Sequence, residues 1–347
     1  MTGAVQRGQP VTPQPVVGPL TAAAIFLVVT IDAGGEEPVR DLLGDLAGLQ
    51  RSVGFRTPLS TLTCVVAVGS QAWDRLFSGP RPSELHPFRE LVGSKHRAVS
   101  TPGDLLFHIR AEQMDVCFEL ATHIMNRLAA VTVRDEVHGF RYYDERDLLG
   151  FVDGTENPVG QAAIDAVSAE HEDMPLRGGS YVIVQKYLHD MRAWEALTVE
   201  DQERAIGRTK LADIELADDV KPANSHVALN TITEPDGTQR QILRANMPFG
   251  SVGSAEFGTY YIGYSATPSV TERMLENMFL GNPPGNHDRI LDFSTAVTGS
   301  LFFAPSADFL DDLPDPPGDA PETLAAGSPP GTGSLGIGSL KRSTSHE

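Results

Sequence analysis

The order of apolar runs constrains the fold of this chain more than any other feature of its sequence. Short apolar runs bounded by turn residues indicate strands, and leucines and valines at helical spacing indicate amphipathic helices. In chain order, strand, helix, strand, strand, helix and strand patterns cover residues 22–31, 38–53, 63–69, 104–111, 113–130 and 131–143. This β-α-β and β-α-β order is typical of a ferredoxin-like unit.

The same kind of pattern returns in the second half of the chain. Strand patterns lie at 179–189, 242–246, 259–265 and 300–304, and helical patterns lie at about 190–208 and at 271–280. Thr271 is the predicted N-cap of the last helix, and Gly281 follows its end. We therefore expect an α+β fold of duplicated ferredoxin-like domains with antiparallel sheets, covering 20–148 and 149–310.

The two ends of the chain differ from this body in composition. Residues 1–19 are rich in proline and are predicted to be a flexible arm. Residues 311–332 contain six prolines and five acidic residues but no Lys or Arg, so we expect a disordered linker. Residues 333–347 again contain spaced aliphatic side chains, at Leu335, Ile337 and Leu340, which indicates a docking peptide at the end of a tether.

Charge and cysteine content exclude several classes of protein. The chain has 27 Lys and Arg against 46 Asp and Glu, a formal net charge of −19, which excludes sequence-independent binding to nucleic acid or to an anionic membrane. Cys64 and Cys117 are isolated, so a disulfide framework is not expected and a reducing cytosol fits best. The apolar run 20–31 is too short to cross a membrane, and a buried first strand is favoured over a signal peptide.

Three short segments carry the residues with chemical potential. Asp153 lies between glycines in the turn-forming stretch 150–158, and His226 follows a serine in 221–227. On a strand, Arg244 and Asn246 would project from the same face, out of an otherwise apolar stretch. A buried arginine needs a partner, and an anion or a polar ligand is a natural one.

Taken together, these segments resemble those of the dye-decolorizing peroxidases of the B type. The likeness covers roughly residues 20–310, with the family's GxxDG motif at 150–154, its proximal histidine at His226 and its distal arginine within 244–250. The stretches 206–210 and 287–294 are also similar to the family's. The resemblance implies two ferredoxin-like domains with noncovalent haem b, held mainly by the second domain.

On the proximal side, the resemblance implies that His226 is the axial ligand of the haem iron. The other ring nitrogen of such a histidine should donate to a carboxylate, which makes the imidazole more electron-rich. Asp288 is the first candidate for that carboxylate and Asp292 is the alternative. Arg208 is the candidate partner of a haem propionate, because a charged haem edge usually needs a cation.

On the distal side, the resemblance implies that Asp153, Arg244 and Asn246 act on hydrogen peroxide. Asp153 would carry a proton from one peroxide oxygen to the other, Arg244 would stabilise the developing negative charge, and Asn246 would hold a water or the peroxide. Which of Asp153 and Arg244 matters more stays open. Glu156, close to Asp153, is a candidate ligand for Mn²⁺.

The function implied is that of a haem peroxidase that works through a ferryl intermediate. It would oxidise dyes, phenolic or lignin-like compounds and Mn²⁺. The segment 334–341 resembles the peptides that target such peroxidases to encapsulin nanocompartments, so the expected location is the cytoplasm, within an encapsulin shell, and a homo-oligomer is expected. Two alternatives remain: a haem carrier with incidental peroxidase activity, or a ferredoxin-like structural module with an unliganded His226.

Overall fold

The computed structural model describes residues 11–318. The strands of this part, numbered in chain order, are β1 Ala23–Ile31, β2 Thr63–Gly69, β3 Leu91–Val92, β4 Arg97–Ala98, β5 Leu105–Ala111, β6 Val131–Phe140, β7 Ser180–His189, β8 Ile232–Thr233, β9 Gln239–Arg240, β10 Leu243–Arg244, β11 Met247–Ser251, β12 Glu256–Ser265, β13 Ser294–Ala296 and β14 Ser300–Ala304. The helices are α1 Glu36–Gly54, α2 Ser70–Leu76, α3 Met114–Arg127, α4 Gln161–Val167, α5 Met191–Glu195, α6 Val199–Ile206, α7 His226–Asn230, α8 Pro268–Phe279 and α9 Ala307–Asp311, with short 3₁₀ helices at Val252–Ser254 and Arg289–Asp292.

Ten of these strands form one antiparallel sheet that joins the two halves of the chain. Its order is β10-β12-β7-β14-β2-β5-β1-β6, with β11 also paired to β12 and β13 to β7. The halves meet where β14 pairs with β2, with Phe302 opposite Gly69 and Phe303 opposite Val68. The predicted duplicated α+β fold is therefore confirmed, and its two antiparallel sheets are continuous with each other.

Three strands of the first half, β1, β2 and β5, are buried on both faces. Strand β1, AAIFLVVTI, is buried along almost its whole length, as its apolar sequence predicts. Helix α1 covers one face of this half with six buried side chains at helical spacing: Val39, Leu42, Leu43, Leu46, Leu49 and Val53. Each such side chain stabilises the fold by about 1.5–3 kcal/mol. The interior of this half is therefore filled with apolar side chains.

The predicted ends of the helix at 271–280 and of the strand at 242–246 differ from those in the structure. Helix α8 begins at Pro268, with Thr267 as its N-cap, because proline fits a first helical turn that needs no N–H partner. Thr271 is buried inside the helix and is not its cap. The strand predicted at 242–246 ends at Arg244, because Asn246 accepts the Ile262 N–H with its side-chain Oδ1, at 3.0 Å.

Parts of both terminal segments pack against the rest of the protein, although their composition predicts that they are flexible. A flexible arm is predicted over residues 1–19, but within its described part Gln14 is held in place: its Nε2 donates to the Val66 carbonyl at 2.8 Å, and its Oε1 accepts from the Val66 N–H at 2.9 Å. The predicted linker also begins too early. The Pro314 carbonyl accepts from Arg40 at 2.7 Å, and the Asp315 carbonyl accepts from the Ser78 N–H at 2.8 Å. The docking peptide 333–347 and most of the linker lie outside the described residues.

Within residues 11–318, none of the helices has the length and apolar character that crossing a bilayer requires.

Candidate active site

A cavity of about 220 Å³ lies in the second half of the chain. Every lining residue falls within 147–294. Strands β7, β10 and β12 and helices α7 and α8 contribute to its wall. The structure brings six of the predicted site residues together at this cavity: Asp153, Glu156, Arg208, His226, Arg244 and Asn246.

His226 is presented to the cavity at the start of helix α7. Ser225 caps this helix, so the first helical residue is fixed with its side chain facing the cavity. The His226 Nδ1 lies 2.7 Å from Oδ2 of Asp288, whose side chain is fully buried. A carboxylate only accepts, so Nδ1 carries the hydrogen, and Nε2 is left as the nitrogen with a free lone pair. This is the tautomer that binds a metal through Nε2.

Asp288 is itself held in place by its surroundings. Its backbone N–H donates to the Met278 carbonyl at 2.9 Å, and its Oδ1 accepts from the Ile290 N–H at 2.9 Å. Asn230 Nδ2 lies 3.3 Å from Oδ2. Of the two carboxylates considered from the sequence, the structure therefore places Asp288 beside His226. Asp292 does not line the cavity and does not contact His226.

A carboxylate, an amide and a guanidinium are also gathered at the cavity. Asp153 Oδ2 accepts from Asn246 Nδ2 at 3.0 Å, and the Asn246 Oδ1 is fixed by the Ile262 N–H. The Arg244 backbone is clamped by Asn157, whose amide accepts from its N–H at 2.9 Å and donates to its carbonyl at 2.7 Å. The Arg244 guanidinium makes no ion pair within residues 11–318, so its charge is available to a ligand.

Asp147 is a further site residue, which sequence reasoning missed. It lines the cavity half-buried, and its Oδ1 accepts from the Phe151 N–H at 3.0 Å. Burial, together with the nearby charge of Asp153, raises the pKa of Asp147 to about 7. Asp147 precedes the GxxDG segment, and a lone aspartate in a loop gives no signal by which the sequence could have singled it out.

At the rim of the cavity, Arg208 and Glu156 pair with each other. The Arg208 Nη1 lies 2.8 Å from Glu156 Oε1, and its Nε lies 2.8 Å from Asp213 Oδ1. The Arg208 side chain is only 12% exposed, whereas that of Glu156 is 61% exposed. Both predicted residues therefore lie at the rim of the cavity. To bind a propionate, Arg208 would have to share or release its carboxylate partners, and to bind a cation, Glu156 would have to share or release Arg208.

Comparison with known proteins places this geometry in a family. Residues 13–141 match the family model described as Dyp-type peroxidase, N-terminal, and residues 144–309 match Dyp-type peroxidase, C-terminal. A dye-decolorizing peroxidase of Rhodococcus erythropolis is 66% identical over 335 residues, covering 96% of this chain and 98% of that protein.

Comparison with solved structures identifies the same family. The encapsulated DyP-type peroxidase from Mycobacterium smegmatis is 65% identical with a TM-score of 0.87, covering 89% of this chain and all of that one. Two variants of DypB are 57% identical to this chain. The one from Rhodococcus jostii in complex with heme has a TM-score of 0.85 and covers 87% of this chain and 99% of its own. A DypB variant in complex with manganese has a TM-score of 0.84 and covers 86% of this chain and 98% of its own. The chain therefore belongs to the Dyp-type peroxidase family.

Proposed function

We propose that this chain binds haem b through His226 and reduces hydrogen peroxide at the opposite side of the same cavity. The observation that carries the proposal is the meeting, at one cavity, of a His226 oriented by Asp288 with the set Asp153, Asn246 and Arg244. An axial imidazole combined with a carboxylate and a guanidinium is the donor set that a haem peroxidase requires.

The lining residues fit a haem. Apolar side chains, including Leu149, Ile206, Ile242 and Met278, provide walls for a flat macrocycle. Gln185 is fully buried and lines the cavity, and its Nε2 has no partner in the described part of the chain. A buried amide donor without a partner is costly unless a ligand satisfies it. His226 supplies the metal-binding nitrogen, and Arg208 and Arg244 supply cations for charged groups.

When bound, haem would supply the iron and the oxidising equivalents taken from peroxide. The chain's own residues would do the rest. The Nδ1–H of His226 donates to Asp288, which gives the imidazole anionic character and keeps its Nε2 aimed at the cavity. Because Asp288 is fully buried, this hydrogen bond is shielded from competing water.

Asp153 would take a proton from one peroxide oxygen and return it to the other. Asn246 keeps the Asp153 carboxylate in place by donating to one of its oxygens, which leaves the other oxygen to receive the proton. The Arg244 guanidinium stays charged and would stabilise the negative charge on the departing oxygen. Asp147, whose pKa is about 7, is a second carboxyl that can hold a proton near Asp153.

These distal groups support a peroxidase over a haem carrier, since storage needs neither a positioned acid nor a positioned cation. The test is an absorption spectrum of the purified, haem-loaded protein, followed by stopped-flow addition of hydrogen peroxide. We expect a Soret band that shifts within the mixing experiment and returns when a dye is added. A Soret band that is unchanged by peroxide, with haem passing to an apo acceptor protein, would support the carrier instead.

For the reductant, we propose dyes, phenolic or lignin-like compounds and Mn²⁺. The manganese complex of a DypB variant supports Mn²⁺, and the exposed Glu156 carboxylate at the rim is its candidate ligand. Glu156→Ala should lower kcat/KM for Mn²⁺ while the value for a dye stays unchanged. Glu170→Ala, which removes an exposed carboxylate away from the cavity, is the control. Equal Mn²⁺ oxidation in wild type and Glu156→Ala would remove Glu156 from this role.

We further propose that residues 333–347 direct the enzyme into an encapsulin shell. The encapsulated relative from M. smegmatis supports this, as do the three spaced aliphatic residues of the tail. Co-expression with a shell protein should load wild type but not a variant with Leu335, Ile337 and Leu340 replaced by serine, and both should retain peroxidase activity. Loading of the serine variant at the wild-type level would refute the role.

A further inference from the structure

Two histidines and an aspartate converge away from the haem cavity. His96 Nε2 and His287 Nε2 each lie 3.1 Å from the same oxygen, Oδ1 of Asp292. The two imidazole rings are 4.8 Å apart between centroids and inclined by 55°. One potential ligand atom from each residue lies within 4.8 Å of the other two. None of the three residues lines the haem cavity.

This arrangement differs from an ordinary surface pair of histidine and carboxylate. His138 and His123, for example, each contact one glutamate and share it with no second imidazole. Among residues 11–318, the convergence of three metal-ligating side chains occurs at this place alone. Ligand atoms bound tetrahedrally at 2.0–2.2 Å lie about 3.3–3.5 Å from each other. The observed 3.1 Å separations therefore need little adjustment to hold an ion.

The backbone holds the three donors in place. His96 lies in the turn between β3 and β4, where its carbonyl accepts from the Gly93 N–H at 2.9 Å. Asp292 ends the 3₁₀ helix Arg289–Asp292, and His287 lies just before that helix. The side chains of His96, His287 and Asp292 are 21%, 11% and 32% exposed, so they are partly shielded but reachable by a solvated ion.

The charge state of the cluster suits a cation. Burial raises the pKa of Asp292. Hydrogen bonds from His287 and His96, together with the charges of His287 and Lys95, lower it by more, so the pKa lies below its usual value. The carboxylate is therefore anionic at neutral pH. Two imidazoles and one carboxylate form a borderline donor set that suits Zn²⁺ and its neighbours in the first transition row better than Mg²⁺ or Ca²⁺.

We infer that His96, His287 and Asp292 form a binding site for a divalent transition-metal ion of the zinc class, with the remaining coordination position taken by water. The site joins a residue of the N-terminal family segment to two residues of the C-terminal one, 196 positions apart between His96 and Asp292. It therefore clamps the hairpin β3–β4 to the segment 287–292, which also carries Asp288. The inference does not depend on haem binding.

The test uses haem-loaded full-length protein that has been stripped of adventitious metal by chelation and dialysis. Isothermal titration with ZnCl₂ should show a saturable site of one Zn²⁺ per chain, and His96→Gln should weaken its affinity by at least about tenfold. His138→Gln, which removes an imidazole from a two-residue pair, is the matched control and should bind Zn²⁺ as wild type does. Equal affinity in wild type and His96→Gln overturns the proposal.

A second pair of measurements covers the case in which a variant folds poorly. Zn²⁺ should raise the Tm of wild type and of His138→Gln, but not that of Asp292→Asn, because an ion that bridges the two segments stabilises only the folded state. X-ray absorption at the zinc edge of the wild-type protein should show two imidazole ligands. A zinc ion with one imidazole or none would place it elsewhere and overturn the proposal without any variant.

Discussion

The carboxylates of Asp288, beside His226, and of Asp153, at the cavity, differ in how firmly the protein holds them. The Asp288 carboxylate is fully buried and accepts from the imidazole, from Asn230 and from the Ile290 N–H. Asp153 is half-buried, and one side chain, Asn246, donates to it. The difference follows from their tasks. A group that orients a ligand benefits from having every acceptor position filled, whereas a group that moves a proton needs an oxygen left free.

Among the changes near His226, removal of the His226 imidazole itself should have the largest effect on haem content. In His226→Ala the proposed axial ligand is lost, and we expect purification with only a minor fraction of the wild-type haem content. Haem content is measured from the Soret absorbance per chain.

His189 provides the matched control, because it also lines the cavity but has both nitrogens engaged, with Ser294 at 2.8 Å and Thr259 at 2.9 Å. His189→Gln should retain haem. Wild-type haem content in His226→Ala would show that the axial ligand is another residue.

On the distal side, Arg244→Leu should slow the peroxide-dependent change in the Soret band by about 10²–10³, because a positioned charge next to the departing oxygen is lost. Stopped-flow absorbance measures this rate. Haem content should stay at the wild-type level, which separates this variant from the proximal one.

Arg240→Leu is the control for Arg244. Arg240 also lines the cavity, but its Nε donates to Glu234 at 3.0 Å, so its charge is already compensated. Loss of the peroxide reaction in Arg240→Leu but not in Arg244→Leu would exchange the roles of the two arginines.

The sequence alone predicted several strands of the fold, whereas some contacts in the site could not be predicted for physical reasons. Local pattern located β1, β2 and β14, since an apolar run is a local property. The sequence favoured Asp288 as the partner of His226 but left Asp292 as an alternative, because the two lie at opposite ends of one short 3₁₀ helix and only tertiary packing decides which meets His226. The pairing of Arg208 with Glu156 was likewise invisible, since this contact joins two segments that are 52 positions apart.

The hydrogen bond between His226 and Asp288 can be weakened without changing the shape of the Asp288 side chain. Asp288→Asn keeps the size and one acceptor of the side chain but removes its charge, so we expect a 10–100-fold loss in haem affinity or peroxidase turnover. Asp292→Asn alters the other aspartate of the same segment and should leave both unchanged in metal-free buffer. If the two variants behaved alike, the contact of Asp288 with His226 would have no special role.

The cavity also contains a carboxyl that titrates near neutrality. Burial and the charge of Asp153 raise the pKa of Asp147 to about 7, while the unfolded chain releases that proton near 4. Between these values the native state binds more protons than the unfolded state, so the stability of the wild type falls as the pH rises. Asn cannot lose a proton, yet its side-chain oxygen can still accept from the Phe151 N–H.

Asp147→Asn should therefore become more stable relative to wild type as the pH rises from 5 to 8, with the difference in Tm growing by about 2–4 °C. Differential scanning fluorimetry of both proteins at several pH values measures this. Asp144→Asn is the control: hydrogen bonds from Arg146 hold the pKa of Asp144 below its usual value, so its titration is complete below pH 5 and its difference from wild type should stay constant. A constant difference for Asp147→Asn as well would mean that Asp147 is ionised throughout this pH range and holds no proton at the cavity.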